Sequence, residues 1–115
     1  MNLDMSFIIV AIGVALFLVS FLLEHAKQRV RLKKRVILIT LSEVGELSGL
    51  RLSQMTGIAR GSVYVYLTTL EEDGWVVSRV VSEPGYPGGK RRYYRLADSV
   101  SQSEMHDVWV GTRPL

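Results

Sequence analysis

The first part of the chain is one unbroken apolar stretch, which begins at Met5, ends at Leu23 and contains no charged side chain. At about 1.5 Å of rise per residue, a helix of this length reaches roughly 30 Å, the thickness of the hydrocarbon core of a bilayer. The stretch is apolar on all sides, and the remaining residues are too few to enclose it, which disfavours a buried core helix. The pattern therefore predicts a single membrane-spanning helix as the anchor of residues 1–24.

The basic residues near this stretch all follow it. Because cytoplasmic flanks carry the excess of Lys and Arg, we expect the N-terminus outside and the C-terminal part in the cytoplasm, at the inner (cytoplasmic) membrane. The stretch lacks a basic start and a small-residue cleavage site, so we interpret it as an uncleaved anchor. The basic segment, residues 25–35, is interpreted as an orientation signal resting on anionic headgroups, and an extra nucleic-acid contact is the less favoured alternative. Its cations are Lys27, Arg29, Arg31, Lys33, Lys34 and Arg35.

Beyond the basic segment, the apolar positions recur with helical spacing. They predict helices over residues 33–44, 47–56 and 60–73, and a glycine follows or closes each of them. The third helix is amphipathic, since its apolar positions share one face at about 100° per residue. That inner face contains Val63, Tyr66, Leu67 and Leu70, and the opposite face contains Gly61, Val65, Thr68, Thr69 and Glu72.

The pattern then changes from helical to extended. Residues 75–82 are rich in β-branched side chains, residues 83–89 are turn formers, and residues 90–96 are basic and extended, which predicts a hairpin with a long tip. Two helices joined by a short turn containing glycine are typical of a helix-turn-helix, whose second helix enters the major groove. We therefore expect a mainly α fold with a small β-hairpin: one transmembrane helix, then a winged helix-turn-helix domain over residues 36–97. The tail, residues 98–115, is either a short helix or disordered.

Composition narrows the possible functions. The 115 residues include no Cys and only two His, so neither a disulfide framework nor a metal site is expected. The formal net charge is +3. No nucleophile with a base and no phosphate-cradling glycine loop occurs in the sequence, which argues against an enzyme and against a cofactor.

The cations of the hairpin are the strongest candidates for a binding role. At a wing they would gain affinity for DNA phosphates through counterion release. Arg60, at the start of the third helix, would position a phosphate. Thr68 and Thr69 would either read base edges, thymine methyls above all, or form ordinary surface. The hairpin cations are Lys90, Arg91, Arg92 and Arg95.

Several other side chains have expected places. Trp75 should pack in the core, and Tyr93 and Tyr94 should lie on opposite faces of a strand, one in the core and one at the surface. The acidic residues at 71–73 are expected to face solvent, away from DNA. Trp109 has three open interpretations: a tail aromatic, a dimer contact or the wall of a pocket.

Two motifs within the predicted winged helix carry a resemblance to a known family. They are Gly61-Ser62-Val63-Tyr64 in the third helix and Gly89-Lys90-Arg91-Arg92-Tyr93-Tyr94-Arg95-Leu96 in the hairpin. In these residues the chain resembles the PadR-like winged-helix transcriptional regulators, over about residues 36–97. The resemblance implies a DNA-binding, repressor-like module that forms a homodimer. Position by position, it implies that Ser62, Tyr64, Thr68 and Thr69 lie on the recognition helix and Lys90, Arg91 and Arg92 at the wing.

The sequence thus predicts a membrane-anchored DNA-binding protein, a transcriptional regulator whose partners are double-stranded DNA, the lipid bilayer and a second copy. The alternative is a membrane-tethered winged-helix module that binds a protein and not DNA. Its support is the weakly basic recognition helix, in which Arg60 is the only cation. Positions 68 and 69 are commonly basic in the family that the chain resembles, and both are threonine here.

Overall fold

The computed structural model describes residues 2–115, with side chains from Asp4 onward. The predicted anchor begins at Met1, which lies outside the described residues. The chain divides into two compact units, Met1–Val30 and Arg31–Leu115. Its elements are α1 (Asn2–Val44), β1 (Leu47–Ser48), α2 (Gly49–Thr56), α3 (Arg60–Glu72), β2 (Val76–Ser82), β3 (Lys90–Leu96) and α4 (Gln102–Val110).

The first unit contains the N-terminal part of α1. This helix is long and apolar enough to cross a membrane, judged by length and composition. Every large apolar side chain from Met5 to Leu23 is at least 52% exposed. Soluble proteins seldom expose a contiguous apolar surface of this extent, so the surface requires a partner or a membrane.

In the second unit, the last part of α1 contributes to the hydrophobic core. Ile37 and Leu38 are fully buried and Leu41 is nearly so. The helix ends as predicted: Gly45 has φ +101° and donates its N–H to the Leu41 carbonyl at 2.9 Å. Glycine adopts this left-handed conformation without the steric cost of a Cβ.

The helix predicted over residues 47–56 is shorter than expected, because Leu47–Ser48 forms the strand β1. The helix α2 starts at Gly49. Ser48 is its N-cap, and the Ser48 hydroxyl accepts a hydrogen bond from the Arg51 N–H at 3.2 Å. A capping serine adopts an extended backbone, which lets the same residue close β1 and start α2.

The sheet is therefore larger than the predicted hairpin. It has three antiparallel strands in the order β1-β3-β2, with β3 in the centre. In β3, Tyr94 is buried and Tyr93 is half-buried, so the expected division between a core and a surface tyrosine is confirmed. Trp75, directly before β2, is buried as predicted.

The tail after residue 97 includes the helix α4. The Ser101 hydroxyl caps it by accepting a hydrogen bond from the Glu104 N–H at 3.1 Å. Val108 is fully buried, and Met105 and Leu115 pack against the same core. Burying a valine side chain is worth about 1.5–3 kcal/mol, so α4 adds to the stability of the second unit.

Candidate nucleic-acid interface

The helix α3 shows the division of faces expected of a recognition helix. Val63, Leu67 and Leu70 are buried in the core, as predicted. On the opposite side, Val65 is 62% exposed and Thr68 is exposed. The exposed side of α3 is therefore available for contact with a ligand.

The two threonines of α3 already use their hydroxyl hydrogens. Thr68 donates to the Tyr64 carbonyl at 2.9 Å, and Thr69 donates to the Val65 carbonyl at 3.2 Å. Such bonds to the carbonyl four residues earlier leave the oxygen lone pairs and the methyl group outward. These threonines are thus suited to accept from a base amine or to contact a thymine methyl.

The three remaining candidates on α3 occupy different surroundings. Arg60 is exposed and is the first residue of the helix, while Ser62 is half-buried. Tyr64 is 37% exposed, and its ring lies against α2: a Cβ added to Gly49 would be 2.6 Å from the Tyr64 Cε1 atom. Tyr64 therefore also sets the packing of α2 on α3.

The strands β2 and β3 have two faces, defined by their register. Pairs such as Ser78 with Tyr94 and Val80 with Arg92 alternate with pairs such as Arg79 with Tyr93. Since paired residues point to the same side of an antiparallel sheet, the alternation assigns every side chain to a face. The inner face, on the side of the core, contains Val76, Ser78, Val80, Ser82, Lys90, Arg92, Tyr94 and Leu96. The outer face contains Val77, Arg79, Val81, Arg91, Tyr93 and Arg95.

Each arginine of the outer face forms an ion pair with an acidic residue. Arg95 lies 2.8 Å from Asp98, and Arg91 lies 3.5 Å from Glu83. Arg79 binds both carboxylate oxygens of Glu46, with its Nε donating at 2.7 Å. The hydrogen bond from Arg79 lowers the pKa of the Glu46 carboxyl below its ordinary value of 4.5.

Arg91 is also held by the tip of the wing. Its guanidinium carbon lies 4.7 Å from the centre of the Tyr86 ring, a cation–π contact. Glu83 Oε2 and Arg91 Nε are buried and have no hydrogen-bond partner among the described residues. The sequence analysis expected Arg91, like Lys90 and Arg92, to contact a phosphate. In the structure, Arg91 lies on the outer face and contacts Tyr86 and Glu83 of the hairpin tip.

The cations of the inner face have no such acidic partner. Lys90 and Arg92 are exposed, and none of the ion pairs in the described part of the chain includes them or Arg60. The Arg92 guanidinium donates to the Ser78 hydroxyl at 3.0 Å, and that hydroxyl lies 3.4 Å from a Glu71 carboxylate oxygen. Arg92 is thus linked to the end of α3 through Ser78.

The acidic end of α3 lies closer to the candidate site than the sequence indicated. A surface groove contains Thr68 of α3 together with Glu71, Glu72 and Arg92. Glu71 and Glu72 are exposed to solvent, as predicted. They also border the groove that contains Arg92, because α3 packs on β2 and its last turn approaches Ser78. Their expected separation from bound DNA stays a prediction. The groove therefore combines one cation with two carboxylates.

Within residues 2–115, no three His, Cys, Asp or Glu side chains are grouped so that they could hold a metal ion.

The comparisons with known proteins agree with the fold. A family model described as the IclR helix-turn-helix domain matches residues 36–79, from the last turns of α1 to the middle of β2. No curated protein gives a significant match. The chain has the fold of the winged-helix, DNA-binding transcription regulators.

Three solved structures illustrate the likeness. Bacillus subtilis PadR in complex with operator DNA is 24% identical with a TM-score of 0.57, covering 71% of this chain and 49% of that chain. Stf76 from the Sulfolobus islandicus plasmid-virus pSSVx is 27% identical with a TM-score of 0.51, covering 67% of this chain and 92% of that one. Bordetella bronchiseptica BpsR, whose DNA binding is regulated by 6-hydroxynicotinic acid, is 17% identical with a TM-score of 0.52, covering 82% and 83%.

Proposed function

We propose that this protein is a membrane-anchored transcriptional regulator whose PadR-like winged helix binds double-stranded DNA on the cytoplasmic side of the inner membrane. The observation that carries the proposal is a set of cations on a winged-helix fold that form no ion pair with any residue the structure describes: Lys90, Arg92 and Arg60. Two copies would bind two half-sites, as winged helices of this size usually do.

The proposed interface divides phosphate contacts from base contacts. Lys90 and Arg92 would neutralise phosphates beside the wing, and Arg60 would hold one near the start of α3. The exposed side of α3 would lie in the major groove, where Thr68 and Thr69 offer methyl groups and acceptor oxygens. Ser62 and Tyr64 would lie at the edge of that contact, and Arg91 would support the wing from its outer face.

The anchor rests on the exposed apolar surface of α1. Its side chains from Met5 to Leu23 require a cover, and a bilayer core matches their length. The basic segment, residues 25–35, supports an orientation with the N-terminus outside.

Salt dependence tests the DNA-binding part. The full chain, reconstituted in lipid nanodiscs, should bind duplex DNA with a log affinity that falls linearly with log salt, by about 0.9 for each phosphate neutralised. Fluorescence anisotropy of labelled DNA measures this slope, and empty nanodiscs are the control. Absence of binding at low salt would reject the proposal.

Protease accessibility tests the anchor. A tag fused ahead of Met1 should be cleaved by protease added to intact spheroplasts, while a tag after Leu115 should be cleaved only after lysis. Protection of the N-terminal tag, or release of the chain by alkaline washing, would contradict the proposed placement.

A protein partner is the second candidate, and the groove between α3 and β3 favours it. Glu71 and Glu72 border this groove and would repel a phosphate backbone, whereas a basic peptide would pair with them. Replacing Lys90 and Arg92 with alanine separates the two functions: the DNA-binding function is lost, and capture of a basic peptide by the two glutamates is preserved or strengthened.

A further inference from the structure

The C-terminal end of α4 and the first residues of the second unit form one surface, which we call the α4 edge. The Arg35 guanidinium lies against Gly111, so closely that a Cβ added to Gly111 would be 2.5 Å from the nearer nitrogen. This contact brings the end of α4 beside the part of α1 that opens the unit. The α4 edge consists of Arg31, Leu32, Arg35, Trp109, Val110 and Arg113.

The α4 edge exposes apolar side chains that the core does not use. Trp109 is 53% exposed, Val110 is 56% exposed and Leu32 is 49% exposed. Their neighbour Val108 is fully buried, so α4 itself is firmly packed and the exposure belongs to one side of an ordered helix. Trp109 and Val110 are adjacent, and Leu32 lies one helical turn before Arg35, whose guanidinium contacts the end of α4. Clustered exposed apolar groups are unusual on a soluble surface and indicate a contact.

The charges at the α4 edge are positive. Arg31 is exposed and Arg35 is half-buried. Arg113 lies over the Trp75 ring at 5.5 Å and follows Gly111, which Arg35 contacts, by two residues. No ion pair among the described residues includes any of the three arginines. Their partner should therefore be anionic.

An exposed tryptophan on an edge that also carries arginines is suited to the interface of a lipid bilayer. Trp concentrates at the headgroup level because its ring is apolar and its indole N–H is polar. Anionic lipids attract nearby cations, each worth about 1 kcal/mol close to the surface. Only residues 24–30 separate the predicted span from Arg31, so the tether keeps the local concentration of lipid high and a weak contact suffices.

We propose that the α4 edge docks on the surface of an anionic bilayer, with Trp109 and Val110 entering the headgroup region and the three arginines binding lipid phosphates. This inference rests on the membrane anchor of the proposed function. It assigns to the C-terminal helix a second, reversible membrane contact, distinct from the span.

Fluorescence quenching tests the docking. The full chain is reconstituted in vesicles that contain phosphatidylglycerol and a phosphatidylcholine brominated near the headgroup, and is compared with its Trp109→Phe variant. Wild type contains Trp75 and Trp109, and the variant contains only the buried Trp75. Because Trp109 is on the surface, the variant should fold. We expect the brominated lipid to quench wild type and to leave Trp109→Phe nearly unchanged.

Charge provides the second arm of the test. Quenching of wild type should weaken in vesicles without phosphatidylglycerol, and in 1 M salt, where the Debye length shrinks to about 3 Å. The triple variant Arg31→Ala, Arg35→Ala, Arg113→Ala should show the same weakening. Equal quenching with and without anionic lipid would overturn the assignment of an anionic surface.

Flotation of the same vesicles distinguishes a failure of the docking from a failure of the membrane anchor. If the chain floats with the lipid while Trp109 is not quenched, the docking is wrong and the anchor stands. If Trp109 is instead shielded from acrylamide only at high ratios of protein to lipid, a second copy covers the α4 edge and the inference is also wrong. If the chain does not float, both the docking and the anchor are wrong.

Discussion

The two faces of the hairpin carry the same kind of charge and differ in what surrounds it. On the outer face, Arg79, Arg91 and Arg95 each pair with a carboxylate. On the inner face, Lys90 and Arg92 have no acidic partner within ion-pair distance among the side chains described from Asp4 onward. A count of cations along β2 and β3 treats all five alike, whereas the structure separates them into neutralised and available groups.

The difference bears directly on DNA binding. A cation on the protein increases the affinity for DNA by neutralising a phosphate and releasing the counterion bound to that phosphate. An arginine already bound to a carboxylate must give up that bond first, or bring the carboxylate's negative charge with it. The acidic partners lie in the segment between α1 and β1, at the hairpin tip and in the loop after β3. Their positions thus determine which face of the hairpin keeps cations that are available to phosphates.

The largest effect is expected from removing the inner-face cations. The double variant Lys90→Ala, Arg92→Ala should lower DNA affinity by at least about tenfold and reduce the salt slope by about 2, since each phosphate contact contributes about 0.9. Anisotropy titrations at several salt concentrations measure both quantities.

A matched variant on the outer face is the control. Arg79→Ala, Arg95→Ala removes the same charge from the outer face of the hairpin, one residue in β2 and one in β3, and should leave the salt slope nearly unchanged. If the two double variants reduce the slope equally, the distinction between the faces fails.

A smaller effect of opposite sign is expected at the acidic end of α3. Glu71→Gln, Glu72→Gln removes two carboxylates from the groove that contains Arg92 and should tighten DNA binding several-fold, to an extent that shrinks as salt rises. Glu43→Gln, Glu104→Gln changes the net charge equally at exposed or half-buried sites on other helices. Equal tightening by both pairs would mean that only net charge matters.

Arg91 should act on the wing tip more than on DNA. Arg91→Ala removes the contact with Tyr86 and the pair with Glu83, and should lower the free energy of unfolding slightly while the salt slope stays constant. Urea unfolding and the DNA titration are the two measurements. A loss of about 1 in the slope would show that Arg91 binds a phosphate after all.

The smallest effect concerns pH. Because Arg79 lowers the pKa of Glu46 in the folded protein, their interaction stabilises the fold above the ordinary value of 4.5 and is lost as the pH falls through the lowered pKa. The urea midpoint of wild type should therefore drop more between pH 7 and pH 3 than that of Glu46→Gln. An equal drop would show that the Arg79–Glu46 pair does not contribute to the loss of stability at low pH.

The sequence predicted the helices well because glycines punctuate them. Gly45, Gly57 and Gly74 all have positive φ and stand at or just after helix ends. The strand β1 was not predicted, because two residues are too few to show the alternation of a strand. Leu47 is equally compatible with the start of a helix. Its pairing with β3 is a contact between distant parts of the chain, which local pattern does not encode.

The candidate site could be predicted by residue type but not by partner. Alternation in β3 indicates that Arg91 and Arg92 point to opposite faces, and this signal was available in the sequence. The pairing of Arg79 with Glu46, across 33 positions, was not available, because it depends on the pairing of β1 with β3, which brings the residue before β1 to the sheet. The link between Glu71 and Arg92 was not available in the sequence either, because it is formed by hydrogen bonds of both residues with Ser78.

Adjacent single cysteines in β2 show which face of the hairpin lies beside bound DNA. The natural chain has no Cys, so Val80→Cys on the inner face and Val81→Cys on the outer face can each be labelled with a photoactivated crosslinker. Neither valine is a proposed contact, so both variants should bind DNA in nanodiscs as wild type does. We expect crosslinks to duplex DNA from position 80 and few from position 81. Crosslinks from position 81 alone, or from neither position while DNA is bound, would contradict this expectation.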